Sequence, residues 1–235
     1  HAIEWRYGKD RSYYDGFDCA WLSNVKWEAY ADDGYTPASM FEYTIQNGKV
    51  AITKYIGSNA IVNIPPTIEG LPVTSIGTGH NGFYDCSWVT SVNIPESVTS
   101  IGGSAFSGCR SLTSIVIPES VTSIGNSAFR WCEKLVDANG FVIVRGTLYS
   151  YYGKESDIAI PEGVTSIGDF AFDSCSNLEE VVFDNCVANI GRAAFYQCTK
   201  LRSVSLGKGI YSIGDYAFND CHSLETLVIP SSVVS

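Results

Sequence analysis

The sequence predicts a repeat solenoid, mainly β with short helical turns, that completes one coil in about 23 residues. Three observations predict it. A short phrase beginning Ile-Pro recurs along most of the 235 residues, six cysteines recur in register with the phrase, and the apolar spacing inside each copy changes from a strand period to a turn period. Because one copy cannot bury its apolar residues alone, the copies are expected to stack into a continuous core.

The repeat is read most clearly in the copy that starts at Ile94-Pro95. It continues through Val98 to Ile101-Gly102, then Ala105-Phe106, and ends with Cys109 and Leu112. Other copies start at Ile64, Ile117, Ile160, Phe183 and Leu206. Each copy therefore supplies the same residue types to the same place in the coil.

The spacing inside a copy assigns its parts. Ile115 and Ile117 are two apart, which is a strand spacing, and Pro118 cannot donate to a ladder and should end that strand. Phe106, Cys109 and Leu112 are three apart, which places them on one face of a short helical turn. Gly102 is expected to supply the tight backbone that leads into this turn.

The cysteine spacing argues against a disulfide framework. Six of the eight cysteines lie 23, 23, 43, 23 and 23 residues apart, at Cys86, Cys109, Cys132, Cys175, Cys198 and Cys221. They should form a ladder of parallel side chains, whereas a disulfide needs Cβ atoms that face each other. The pattern predicts free, buried thiols, with Cys19 and Cys186 outside the ladder.

Two segments depart from the repeat and are predicted as hairpin-type variant coils. One lies near residues 43–56 and turns at Asn47-Gly48, and the other lies near residues 140–153 and turns near Arg145-Gly146. A turn dipeptide flanked by alternating apolar residues is a strong hairpin signal. Each hairpin leads into an Ile-Pro copy, so the two are interpreted as homologous elements.

The domain prediction divides the chain into residues 1–41 and 42–235. The first part holds Trp5, Trp21 and Trp27, three of the five tryptophans, and is interpreted as an aromatic-rich cap or as a small separate module. The second part is the solenoid. The chain begins at His1 and stops part-way through a coil at Ser235, so we interpret it as a mature or cloned fragment of a protein that continues.

Composition narrows the function classes. A net charge of −10 disfavours binding to nucleic acid or to an anionic membrane surface. No apolar run reaches the ~18–20 residues of a membrane span. The spacing of possible ligand residues does not predict a metal or cofactor site. The ladder cysteines are farther apart than the paired cysteines of zinc sites, and Asp32-Asp33-Gly34 is too short for a calcium-binding loop. A Ser87, His80 and Asp85 grouping can be drawn, but sequence proximity is not triad geometry, and the chain is predicted not to be an enzyme.

The phrase Ile-Pro-Glu-Ser-Val-Thr-Ser-Ile-Gly, followed by Ala-Phe, Cys and Leu, closely resembles the BspA-like (Treponema pallidum-type) class of leucine-rich repeats. Residues 94–124 match this pattern, and the resemblance extends over about residues 42–235, although Asp184 and Gly207 stand where the family has Pro. The resemblance implies a right-handed leucine-rich-repeat coil. It also implies a bacterial surface or secreted protein that adheres to host extracellular matrix proteins, to cells or to polymers. It transfers no binding residue.

The candidate ligand-binding residues therefore come from the chain itself. Outward residues of the main strand should line one broad face, and aromatic residues near the second hairpin could stack on a ligand. The candidates are Ser114, Val116, Glu180, Val182, Ser203, Ser205, Trp131, Tyr149, Tyr151 and Tyr152. Three functions stay open: a protein-binding adhesin, a carbohydrate- or polymer-binding accessory module, and a spacer for a flanking domain. The tyrosines could equally be strand residues that rest on neighbouring coils.

Overall fold

A computed structural model describes residues 34–79 and 81–234, which form a β-solenoid of about eight turns with a spacing of about 23 residues. This confirms the fold class predicted from the repeat. Most of the predicted N-terminal cap or module, and His80 of the drawn triad, lie outside the described residues.

The described residues contain one short 3-10 helix, Ala38–Met40, and eighteen strands. In chain order the strands are β1 Phe41–Gln46, β2 Lys49–Tyr55, β3 Ile61–Asn63, β4 Thr67–Ile68, β5 Leu71–Ile76, β6 Ser91–Asn93, β7 Ser100–Ile101, β8 Ser114–Val116, β9 Ser123–Ile124, β10 Phe141–Val144, β11 Thr147–Tyr151, β12 Asp157–Ala159, β13 Ser166–Ile167, β14 Glu180–Val182, β15 Asn189–Ile190, β16 Ser203–Ser205, β17 Ser212–Ile213 and β18 Thr226–Leu227.

Most coils contribute one strand to each of two kinds of sheet, in which strands of successive coils run parallel. The main strands precede Ile-Pro, or Phe183 and Leu206 in the two copies without the proline, and form the sheets β3-β6-β8 and β12-β14-β16-β18. The second strands precede the recurrent Gly and form β2-β5-β7-β9 and β11-β13-β15-β17. Equivalent residues of successive copies are paired, as in Ser91 with Ser114 and Ile167 with Ile190, so the sequence repeat and the strand register agree.

The segment predicted as a helical turn is a run of tight turns rather than a helix. The Ala105 amide donates to the Gly102 carbonyl, and the Cys109 amide donates to the Phe106 carbonyl. Between them, the Phe106 amide donates instead to Ala128 of the next coil, at 2.9 Å. Ser104 and Gly108 have positive φ values of 56° and 80°. Because alternate amides bond to the neighbouring coil, no helical ladder can propagate.

Both segments predicted as hairpins form antiparallel pairs, β1 with β2 and β10 with β11. Asn47 and Gly48 have φ values of 51° and 70°, and Arg145 and Gly146 have values of 50° and 73°. Positive φ at both central residues is the type I′ geometry, whose twist matches that of the strands. Each pair also carries a register shift after the second residue of its first strand.

The second hairpin divides the core into an N-terminal block that begins at Phe41 and a C-terminal block that begins at Phe141. Adjacent residues of the hairpin face opposite cores: Val142 and Tyr149 belong to the N-terminal cluster, and Leu148 and Tyr151 belong to the C-terminal cluster. The hairpin is therefore buried on both faces and separates two sets of stacked coils.

Two arginines join the blocks at the surface. The Arg145 guanidinium donates to the Pro118 carbonyl at 2.5 Å and lies 3.3 Å from the Glu119 carboxylate. Arg130 pairs with Asp173 at 2.6 Å across the inserted hairpin. The Arg130 pair is the more sheltered one, with only 18% of the arginine side chain exposed.

Aromatic rings and thiols form the spine of the core. Phe106 stacks between Phe83 and Phe129, with ring centroids 5.1 and 5.4 Å apart. The Cys132 thiol donates to the Phe106 carbonyl at 3.2 Å, and the equivalent contact recurs from Cys109, Cys198 and Cys221. All seven cysteines in the described residues are free thiols. Cysteine suits this position because it is small and apolar and still offers a weak donor to a buried carbonyl.

The glycine that follows the second strand is required by crowding rather than by backbone conformation. Gly191 does not have a positive φ, and a Cβ atom there would lie 2.6 Å from the Asp169 amide nitrogen and 2.6 Å from the Gly168 carbonyl carbon. The backbone of the preceding coil passes too close for a side chain. The expected tight backbone is therefore present, but its cause is contact between coils.

We expect Gly191→Ala to lower the free energy of unfolding by about 3 kcal/mol, because two backbones must separate to admit the methyl group. Gly163→Ala is the matched control, since Gly163 has a φ of +84° and open space around its Cβ position. The control should lose only about 1 kcal/mol, from left-handed strain. Denaturant titration measures both, and equal losses would contradict the crowding argument.

Candidate functional site

The predicted broad face consists of the outward residues of the main strands. Ser114 and Val116 lie in register with Ser91 and Asn93 of the preceding coil. Glu180 and Val182 lie in register with Ser203 and Ser205 of the next coil. All six candidate residues on these strands are exposed. We call this set of outward main-strand residues the outward face.

The outward face is not continuous, because the main-strand sheet stops at β8 and starts again at β12. Ser114 and Val116 therefore belong to one sheet, and Glu180, Val182, Ser203 and Ser205 belong to another. The coil between them has no main strand. It turns at residues 137–140, where the Asp137 carboxylate accepts hydrogen bonds from the amides of Asn139 and Phe141, at 2.8 and 2.9 Å.

A cleft of about 610 Å³ lies beside this turn. Its lining includes Asp137, Tyr152, Glu155, Asp157 and Ala159. The interpretation from sequence missed both the interruption and the cleft. The signal that could have found them is Asp137-Ala138-Asn139-Gly140, a run of turn-forming residues where other copies have a strand.

The outward face is polar with isolated apolar side chains. Serine, threonine and asparagine dominate it, while Ile61, Val116, Val182 and Val228 are exposed by 63%, 58%, 41% and 80%. Val116 lies in register with Asn93, and Val182 lies in register with Ser205. Such a surface can desolvate over a large area while presenting little concentrated charge.

Tyr149 and Tyr151 are not part of this surface. They are only 4% and 5% exposed. Tyr149 packs edge-on against Phe129 at 5.3 Å, and Tyr151 lies between Phe141 at 4.8 Å and Phe172 at 5.6 Å. Burial raises the pKa of Tyr149 to about 12. The rings continue the phenylalanine spine through the hairpin, which corresponds to the alternative that they rest on neighbouring coils.

Trp131 and Tyr152 keep part of their surface exposed, 39% and 37%. The Arg130 guanidinium lies 4.3 Å from the Trp131 ring centroid and 4.2 Å from that of Phe170. One ring face of Trp131 is therefore covered by a cation that is itself paired with Asp173. Burial raises the pKa of Tyr152. The aromatic candidates are thus reduced to two partly exposed rings.

Five of the six ladder thiols are chemically unreactive, whereas a hydrogen bond with Cys198 lowers the pKa of the partly exposed Cys221. Burial raises the pKa of Cys86 to about 11, and that of both Cys132 and Cys175 to about 12. A protonated thiol is a poor nucleophile and a poor metal ligand. Cys186 is exposed, and a hydrogen bond with Asp184 raises its pKa. Within the described residues, no group of three or more His, Cys, Asp or Glu side chains could hold a metal ion.

The described part of the chain also contains no helix with the length and apolar character needed to cross a membrane.

Comparisons with known proteins agree with the repeat geometry. The model of the family described as BspA type leucine rich repeat region matches residues 74–140 and 144–235, in six copies. A leucine-rich repeat protein of T. pallidum, known from a crystal structure, is 33% identical to this chain; the match covers 81% of this chain and 79% of that one, with a TM-score of 0.48.

Two other solved structures show lower identity. A leucine rich cell surface protein of Faecalibacterium prausnitzii is 22% identical over 85% of this chain and 83% of its own, with a TM-score of 0.40. The pneumococcal vaccine antigen PcpA is 15% identical over 84% of this chain and 76% of its own, with a TM-score of 0.43. No curated protein matches the chain significantly.

Proposed function

Because this chain belongs to the BspA-type leucine-rich-repeat family, we propose that it is a non-catalytic binding protein, either secreted by a bacterium or displayed on its cell surface. It binds a protein ligand on its outward face. The resemblance to this family supports the location and the adhesive role. A host extracellular matrix protein is the partner class that the resemblance implies.

The observation that carries the proposal is the outward face itself. Main strands of successive coils present exposed side chains in strict register, so equivalent positions such as Glu180 and Ser203 lie side by side. The spacing between neighbouring strands is about 4.8 Å. A solenoid of this kind offers a large area whose exposed valines can be desolvated by a partner.

The chemistry of the described residues favours binding over catalysis. The groups with the largest pKa shifts are thiols and tyrosines inside the core, where burial keeps them protonated. Catalytic groups need a pKa matched to their task and access to a substrate. Cys132 and Tyr149 have neither, since both are buried in the spine.

The test is binding of the purified chain to paired panels of extracellular matrix proteins and polysaccharides. A double variant, Val116→Asp with Val182→Asp, places charge on both parts of the outward face. Both side chains are exposed, so the fold should tolerate the changes. We expect protein binding to weaken about tenfold or more, because a desolvated carboxylate without a partner is costly.

Tyr211→Asp is the matched control. Tyr211 is 58% exposed and precedes a second strand rather than a main strand, so the single carboxylate added there lies off the outward face. Binding should survive this change. If the double variant binds matrix proteins as tightly as the wild-type chain does, the proposed surface is contradicted.

A carbohydrate-binding role is the second candidate, and the partly exposed ring of Trp131 favours it, because indole faces stack on sugars. Trp131→Ala separates the two. Loss of polysaccharide binding in this variant would favour the carbohydrate-binding function. An absence of binding to both panels would favour a spacer role.

A further inference from the structure

One edge of strand β12 has backbone amide and carbonyl groups that pair with no other strand among the described residues. β12 pairs with β14 and with no other strand among the described residues. The Ile160 amide donates to the Val182 carbonyl at 2.9 Å, which places the backbone groups of Ile158 and Ile160 toward β14. Because alternate residues of a parallel strand face opposite neighbours, the backbone groups of Asp157 and Ala159 point the other way, into the cleft.

The N-terminal block shows what covers the equivalent edge there. Asn63 and Ala159 both stand eight residues after the tyrosine that ends the hairpin, Tyr55 or Tyr151, and just before Ile-Pro. A segment of the same chain, residues 34–37, contacts β3 at Asn63. The Thr36 amide donates to the Asn63 carbonyl at 2.7 Å, and the Asn63 amide donates to the Thr36 hydroxyl at 3.0 Å.

The corresponding segment of the C-terminal block, residues 134–137, makes no backbone hydrogen bond to β12. Both blocks turn in the same way before the hairpin, since the Gly140 amide donates to the Asp137 carbonyl at 3.2 Å as the Met40 amide donates to the Pro37 carbonyl at 3.0 Å. No described residue donates to or accepts from the backbone of Asp157 or Ala159 on the cleft side. The cleft of about 610 Å³ is the space that remains.

We propose that this edge binds an extended, positively charged peptide segment of a partner protein by strand addition along Asp157–Ala159. The inference rests on the proposed binding function and adds to it a strand-addition edge that borders the outward face, since Ala159 lies in register with Val182 of β14. The equivalent edge of the N-terminal block bonds a segment of the chain through the Asn63 backbone, and unpaired strand edges are templates for pairing with an extended segment.

Charge selects the peptide. The exposed Glu155 and Asp157 carboxylates border the cleft against one exposed cation, Lys154. The Asp157 carboxylate accepts one hydrogen bond from the neighbouring Ser156 hydroxyl, at 2.8 Å, and keeps acceptor capacity. The whole chain carries a net charge of −10, which attracts a cationic segment and repels an acidic one.

The experiment selects a phage-displayed library of short linear peptides against the full chain and measures binding of the enriched peptides to variants. Ala159→Pro removes the amide that points into the cleft and spares the ladder with β14, since proline is tolerated on an edge. We expect peptides rich in Lys and Arg that bind the wild-type chain and lose about tenfold or more in affinity to Ala159→Pro. Ala159→Val is the control, because it keeps the amide, and it should bind as the wild type does.

A second variant keeps the test decisive if Ala159→Pro alters the fold, which circular dichroism would reveal. Glu155→Lys with Asp157→Lys leaves the backbone intact and should abolish binding of the cationic peptides. An absence of enriched peptides, or peptides that bind both variants like the wild-type chain, would overturn the proposal. Failure of this proposal can be distinguished from failure of the outward face. If matrix-protein binding is weakened by Val116→Asp with Val182→Asp and is unchanged by the edge variants, the outward face remains supported.

Discussion

Phe106→Ala should lower the free energy of unfolding by about 3–5 kcal/mol. Phe106 is fully buried, and its ring stacks between Phe83 and Phe129 at centroid distances of 5.1 and 5.4 Å. Truncation removes both stacking contacts and leaves a cavity in the middle of the spine. The rings on either side are anchored in their own coils, so collapse around the cavity should be limited. Denaturant titration under reducing conditions measures the loss.

Tyr84→Ala is the control, since it removes an aromatic ring from the same block at a position that is 50% exposed. It should change stability by no more than about 0.5 kcal/mol. Because a solenoid is stabilised by neighbouring coils, amide hydrogen exchange should show the loss of protection first in the N-terminal block, between Phe41 and Cys132. Equal effects of the two variants would mean that the spine does not carry the stability of this block.

Alkaline pH should destabilise the protein through its buried thiols. Burial raises the pKa of Cys132 from 9.0 to about 12. Below about pH 9 the thiol holds its proton in both states, and its contribution to stability is fully present. Between about pH 9 and 12 the unfolded chain releases this proton and the folded chain keeps it. Stability should therefore fall by about 1.4 kcal/mol per pH unit for each such thiol.

Cys132→Ala isolates this contribution. The variant loses some stability at neutral pH, so the comparison is between slopes: its free energy of unfolding should decline less steeply between pH 9 and 11 than that of the wild-type chain. Cys186→Ala is the control, because the Cys186 side chain is exposed and solvent weakens its coupling to folding. If Cys132→Ala and the wild-type chain have parallel pH profiles, the thiol does not stay protonated in the fold.

The outward face and the β12 edge differ in how far the sequence could locate them. Ser114, Val116, Glu180 and Val182 were identified from the alternation of each main strand, because every copy places the residues beside Ile-Pro in the same environment. The β12 edge involves a coil in which the repeat fails. A missing strand in one copy leaves no periodic signal for the edge that it exposes in the next.

The sequence by itself determined the coil length, the register of the strands and the identity of the core residues Ile101, Phe106 and Cys109. It could do so because stacking gives equivalent residues equivalent neighbours, so one copy explains the others. It also located both hairpins, since a left-handed turn needs particular residues at particular places.

Only the tertiary structure decided that both faces of the second hairpin are buried. Tyr149 and Tyr151 lie two residues apart on one strand, a spacing that predicts a single shared face, yet their rings pack into different cores. The register shift of the β10–β11 pair leaves Tyr149 without a cross-strand partner, which breaks the alternation between them. Likewise, Gly191 is required by the coil packed against it, and the cleft beside Ala159 lies where no described strand pairs with the outer edge of β12. Periodicity reports which residues share an environment, whereas contacts between coils decide what that environment contains.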